Sequence, residues 1–113
     1  MRRLIALGLC LAATTVAPAE LMRGHYVHGS QVSFFEPCGG GEALWVLLEG
    51  DPARWLVRAR DEITTIAYER VFAELRGTRT ENRNQVGVPD EYDALLALET
   101  VYEVRLPGPG DCP

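Results

Sequence analysis

The chain predicts a mainly β domain: a small five-stranded barrel with one short helix and one disulfide. Three observations predict it. Runs rich in β-branched and aromatic residues recur at short intervals, one segment near residues 52–62 has helical spacing, and one pair of cysteines remains for an oxidising compartment.

Residues 1–19 read as a cleavable leader rather than as part of the domain. Arg2 and Arg3 form a basic start, Leu4 to Ala13 form a short apolar run, and Ala17-Pro18-Ala19 supplies the small residues that a signal peptidase recognises. The run stops at Thr14-Thr15, short of the roughly 20 apolar residues that span a bilayer, which disfavours the alternative of a retained anchor. Cys10 follows Leu9, whereas a lipid-attachment site needs a small residue there, so Cys10 is read as part of the leader and not as a lipid anchor. The domain is therefore residues 20–113, expected to be secreted.

Of 11 basic and 16 acidic residues, the leader takes two arginines, which leaves the domain at about −7; the chain has no lysine. Nucleic acids and anionic lipids are recognised by neutralising phosphates with basic side chains, so neither is an expected partner. A domain this small has a modest core and gains from a staple. Cys38 and Cys112 are an even pair in an oxidising compartment, so a disulfide is the first reading. A metal or redox pair competes with it, but there is no CxxC spacing and there are only two histidines.

Along the domain, Tyr26 to Phe35 reads as a long first strand, with Gly29-Ser30 marking a bulge or bend of the kind that lets one strand serve both halves of a barrel. Cys38-Gly39-Gly40-Gly41 is a loop, and Ala43 to Leu48 is a buried strand expected to pair with the first. Asp51 as N-cap and Pro52 at the first helical position open a helix over 52–62. Trp55, Leu56, Ala59 and Ile63 would form its apolar face, with Arg54, Arg58, Arg60, Asp61 and Glu62 in solvent. A strand at Trp55 to Val57 is the competing reading, and a short extra strand is open near 63–67.

From Tyr68 the alternation is strict: Val71, Ala73 and Leu75 face inward, Arg70, Glu74 and Arg76 outward, and Phe72 falls on the outward side as an exposed aromatic. Gly77 to Asp90 is a polar, exposed loop. A last strand, in which Leu96, Leu98, Tyr102 and Val104 alternate with Ala97, Glu99 and Glu103, leads into Pro107-Gly108-Pro109-Gly110 and Cys112. Short strands in series with one inserted helix point to a barrel of the OB type.

Several of these residues carry a family likeness. Gly24-x-Tyr26, Phe34-x-x-x-Cys38, the Gly-rich turn and apolar strand, Glu49-Gly50-Asp51 and Gly110-Asp111-Cys112 together resemble the C-terminal OB-fold domain of the NlpE-type envelope lipoproteins, over residues 24–112. The resemblance implies a five-stranded barrel tied by a disulfide that maps onto Cys38 and Cys112, in a periplasmic protein. The larger members report surface contact and envelope defects to a stress pathway. The chain departs from them in lacking an N-terminal domain, that domain's CxxC motif and a lipobox, so copper binding and outer-membrane attachment are not carried over.

No catalytic constellation is legible. Ser30 and Ser33 have no strained elbow around them, GxGxxG, P-loop and HExxH patterns are missing, and the carboxylate pairs Asp61-Glu62 and Asp90-Glu91 fall at a helix end and in a loop. The expected function is a non-enzymatic binding or adaptor module without a cofactor, linked to envelope stress and meeting an envelope protein or a glycan. Its candidate binding residues are Tyr26 and His28, which share a strand face, and an outward cluster of Tyr68, Arg70, Phe72 and Arg76. The alternative is a small-ligand or metal-binding protein using His25, His28 and the first strand. At a spacing of three on a strand the two histidines point to opposite faces, which disfavours a shared metal.

Overall fold

The computed structural model describes residues 18–82 and 88–113; the leader reading of residues 1–17 and the central part of the polar loop, 83–87, lie outside them. The elements in order are β1 (Glu20–Gly29), β2 (Val32–Pro37), β3 (Leu44–Val46), helix α1 (Asp51–Ile63), β4 (Val71–Glu81), a short 3-10 turn at Val88–Glu91 and β5 (Ala94–Arg105). The strands run β1-β2-β3-β5-β4 around a closed barrel, β4 returning to β1. All ladders are antiparallel except β3 with β5, where Trp45 meets Leu95 and Val46 meets Leu96. With the helix between β3 and β4, this is an OB-like barrel closed by the Cys38–Cys112 disulfide.

The expected long first strand is two strands. Gly29-Ser30 opens a tight turn rather than a bulge, and Gly29 pairs with Val32 as β1 folds back on β2. Tyr26 to Phe35 is therefore not one strand serving both halves of the barrel; β1 instead joins its two neighbours through residues further upstream. Residues Gly24, His25 and Tyr26 pair with Pro37, Glu36 and Phe35 on one side and with Ala73, Phe72 and Val71 on the other. At Gly24 a Cβ would collide with the Glu36 carbonyl, so the close approach of β1 to β2 needs glycine there.

Tyr26, Phe35, Leu44, Val46, Val71, Ala73, Leu75 and Leu96 fill the barrel, and Leu56 of α1 closes it. The helix begins at Asp51, but Asp51 is not its cap. Gly50 holds that place at φ 95 and ψ 165 with no side-chain cap bond, while Asp51 pairs on the surface with Arg54. The buried stripe is Ala53, Leu56 and Arg60, with Ile63 packed against the core. Trp55, expected on the apolar face, is half exposed, and Arg60, expected in solvent, is buried. Spacings of three, four and three place residues 53, 56, 60 and 63 in one row. Arg60 is kept there by donating to the Ile66 carbonyl at 2.6 Å and to Asp61 at 2.9 Å.

Residues 64–70 form bends and turns rather than an extra strand, and β4 extends through Gly77 to Glu81, so the polar loop is shorter than its composition suggested. In β5 the pairing slips twice. Glu74 pairs with Glu103 but Leu75 with Val101, and Arg76 pairs with Thr100 but Gly77 with Leu98. These bulges turn Tyr102 outward, half exposed, and bring Val101 and Val104 to the core.

Candidate binding site

On the outer surface of β2 and β3, three aromatic rings stand together. Tyr92 stacks on Phe34 at 5.9 Å and leans on Trp45 at 5.3 Å. Phe34 and Trp45 are neighbours in the β2–β3 ladder, so strand register places their side chains side by side. Tyr92 is brought over them by Asn82. The Asn82 amide donates to the carbonyls of Pro89 at 2.6 Å and Tyr92 at 2.7 Å, and its backbone N–H donates to Asp93. That pins the turn before β5 against the end of β4.

Beside this platform lies a groove of about 450 Å³, open to solvent, between the β1–β2 turn and Pro89. Its walls are His28, the turn Gly29-Ser30-Gln31, Val32, Trp45 and Leu48, and among the described residues none that lines it is acidic, lysine or arginine. A second depression, shared at His28 and Leu48, continues along α1, where Arg54, Arg58, Asp61 and Glu62 supply mixed charge. The turn is braced from behind by Tyr68, whose N–H donates to the His28 carbonyl at 3.0 Å and whose hydroxyl lies 3.2 Å from Ser30 Oγ. Tyr68 adopts φ 67, an uncommon conformation for a tyrosine, in making these contacts.

A buried hydrogen-bond chain forms the floor. Ser33 Oγ donates to the Val46 carbonyl at 3.2 Å, Tyr26 Oη is 2.8 Å from Ser33 Oγ, and His28 Nδ1 is 3.1 Å from Tyr26 Oη. Each hydroxyl has one hydrogen. Since serine spends its hydrogen on Val46, tyrosine must donate to serine, and His28 must donate to tyrosine through Nδ1–H. Burial pushes the Tyr26 phenol up to about 12, so it remains protonated, and burial also lowers the His28 pKa below its ordinary 6.5. At neutral pH His28 is thus a neutral imidazole held by Nδ1, with Nε2 as its free acceptor; among the described residues nothing donates to Nε2.

No family model, curated protein or solved structure matches this chain.

The residues expected to bind are dispersed by the fold. Tyr26 is fully buried and serves the site only through His28. His28 lines the groove and Tyr68 braces its turn. Arg70 pairs with Glu36 on the surface, and Arg76 lies beside Tyr102 and the Ala19 carbonyl, so the outward cluster is not one patch. Phe72 does point outward, yet it is fully buried. Arg105 lies 4.2 Å and Arg23 5.5 Å from its ring centroid, and the His25 ring meets it edge-on. Asp111 locks that cover: it pairs with Arg105 at 2.7 Å, lies 3.4 Å from His25 Nε2 and accepts from the Gly108 N–H at 2.7 Å. His25 therefore belongs to the C-terminal clasp and His28 to the groove.

The platform residues Phe34, Trp45 and Tyr92 and the anchoring Asn82 were not singled out by sequence reasoning. Phe34 and Trp45 were legible as strand residues, but only the register shows that they form a common outer face.

Proposed function

We propose that the protein is a non-enzymatic binding module of the periplasm, taking its ligand in the groove between the β1–β2 turn and the aromatic platform of β2–β3. The carrying observation is position together with lining. OB barrels hold ligands on this face, between the loops that follow the first and fourth strands, and here the same place has an aromatic wall and hydrogen-bonding groups. The leader pattern and a disulfide, which oxidising compartments favour, support the location. An adaptor role in envelope stress rests on the resemblance to NlpE-type domains alone. Expression with its leader in a bacterial host, followed by intact mass of the periplasmic fraction, is expected to give a chain beginning at Glu20; an unprocessed cytoplasmic product would refute the location. A photo-crosslinker at Gln31 should yield adducts in envelope extract that one at Glu103, across the barrel, does not. Equal labelling from both positions, or none from either, would refute the site.

A further inference from the structure

The geometry points to a neutral oligosaccharide as the occupant of this groove, with a pyranose ring stacked on Trp45 and one of its hydroxyls donating to His28 Nε2. The inference rests on the binding-module reading and narrows it to one ligand class.

Charge weighs against the first alternatives. Among the described residues no carboxylate, lysine or arginine lines the groove, Arg54 and Arg58 of the adjoining depression are offset by Asp61 and Glu62, and the chain carries a net −5, which disfavours an anionic ligand. What the groove does offer is a flat aromatic wall beside small polar groups, including the Ser30 hydroxyl and the Gln31 amide. A sugar has complementary surfaces: a C–H face for the ring and hydroxyls at its edge.

The decisive group is His28. Its Nδ1–H is committed to the Tyr26–Ser33–Val46 chain, so the remaining ring nitrogen of this groove-lining residue, Nε2, carries a lone pair that needs a donor. A proline-rich segment, the other usual guest of aromatic grooves, lacks N–H groups at its prolines and leaves that lone pair unmet. Such segments also dock into slots between separated rings, whereas Phe34, Tyr92 and Trp45 pack on one another as a single platform. Donor-rich hydroxyls satisfy both features.

The charged and titratable groups around His28 are Tyr26 on its own strand, and Arg60 and Asp61 from α1, with Arg54, Arg58 and Glu62 lining the adjoining depression. Protonating Nε2 would convert the acceptor into a donor, so sugar binding should be level near pH 7–8 and weaken on acidification through the His28 pKa.

The test is titration of the oxidised protein with cellotetraose and chitotetraose, followed by Trp fluorescence and by amide shifts of residues 28–33. Saturable shifts confined to the groove are expected for at least one sugar. His28→Asn keeps an amide donor for Tyr26 but removes the Nε2 acceptor; it should weaken binding about tenfold and abolish the pH dependence, with an unchanged melting curve at pH 8, where His28 is neutral in both folded and unfolded chain, showing an intact fold. Trp45→Ala should abolish binding. If neither sugar shifts the groove while decaproline or an envelope protein does, the oligosaccharide assignment fails and the binding module stands. If none of these ligands shifts it and the Gln31 crosslinker is also silent, both fail. Sugar binding that His28→Asn leaves unchanged in strength and pH profile overturns the role of His28.

Discussion

Phe72 shows how far alternation can be read and where it stops. The period-two pattern of β4 correctly sends this side chain outward, but whether an outward ring is wet depends on what lies over it, and the cover comes from Arg23, Arg105 and the Asp111 turn, distant in sequence. Truncating it should therefore behave as a core mutation. Phe72→Ala is expected to cost roughly 3–5 kcal/mol in urea unfolding, against about 0.5 kcal/mol or less for a ring in solvent. A loss in the lower range would show that the cover carries no energy. Two residues here should make stability depend on pH. His28 has a lowered pKa because it is partly buried, so on acidification the unfolded chain takes up this proton first, and stability falls as pH drops below about 6.5. Asp111 is held below its ordinary 3.8, chiefly by the Gly108 N–H and also by Arg105 and His25, so its contribution is present above that value and is lost as pH falls through the folded pKa. Thermal melts from pH 8 to pH 3 should show both phases; His28→Asn should remove the first and Asp111→Asn the second.

The helix was legible as an element, with boundaries within a residue of those expected, while its cap and its face were not. Asp-Pro after glycine looks like an N-cap followed by the first helical position, yet the chain enters one residue earlier, and Gly50 takes a φ, ψ combination that only glycine adopts readily. Gly50→Ala should then cost on the order of 1–3 kcal/mol, and Asp51→Ala, which loses only an exposed pair with Arg54, no more than about 1 kcal/mol. The reverse order of melting temperatures would restore Asp51 as the cap. The buried row escaped reading because two of its four places hold Ala53 and Arg60, neither of which signals burial by type. Trp55, one position from the row, drew attention away from it. The same limit applies to the site: Asn82 stood within a polar stretch, and nothing local marks the one amide that fastens Pro89 and Tyr92.

At the level of the molecule, the barrel and its staple were legible because strand composition, the single helix and the cysteine count agree with one another. Strand order was not, since the parallel β3–β5 ladder and the β1–β4 seam join segments far apart in the chain. The Cys38–Cys112 bond, spanning 74 positions, ties the end of β2 to the segment after β5. In the chain-entropy account it contributes roughly 4 to 5 kcal/mol by restricting the unfolded chain. Reduction or Cys38→Ser should lower the melting temperature strongly, and an unchanged melt would show that the link restricts nothing. The same link bears on speed. The β1–β2 and β4–β5 hairpins can each form locally, but the barrel exists only after they meet along the seam, and a distant encounter of this kind slows folding. Until it occurs, β1 and β4 each present an unpaired edge open to another chain. A bond already formed between the two hairpins turns their meeting into a short-range search, so oxidised protein should refold faster and aggregate less than reduced protein diluted from the same denaturant.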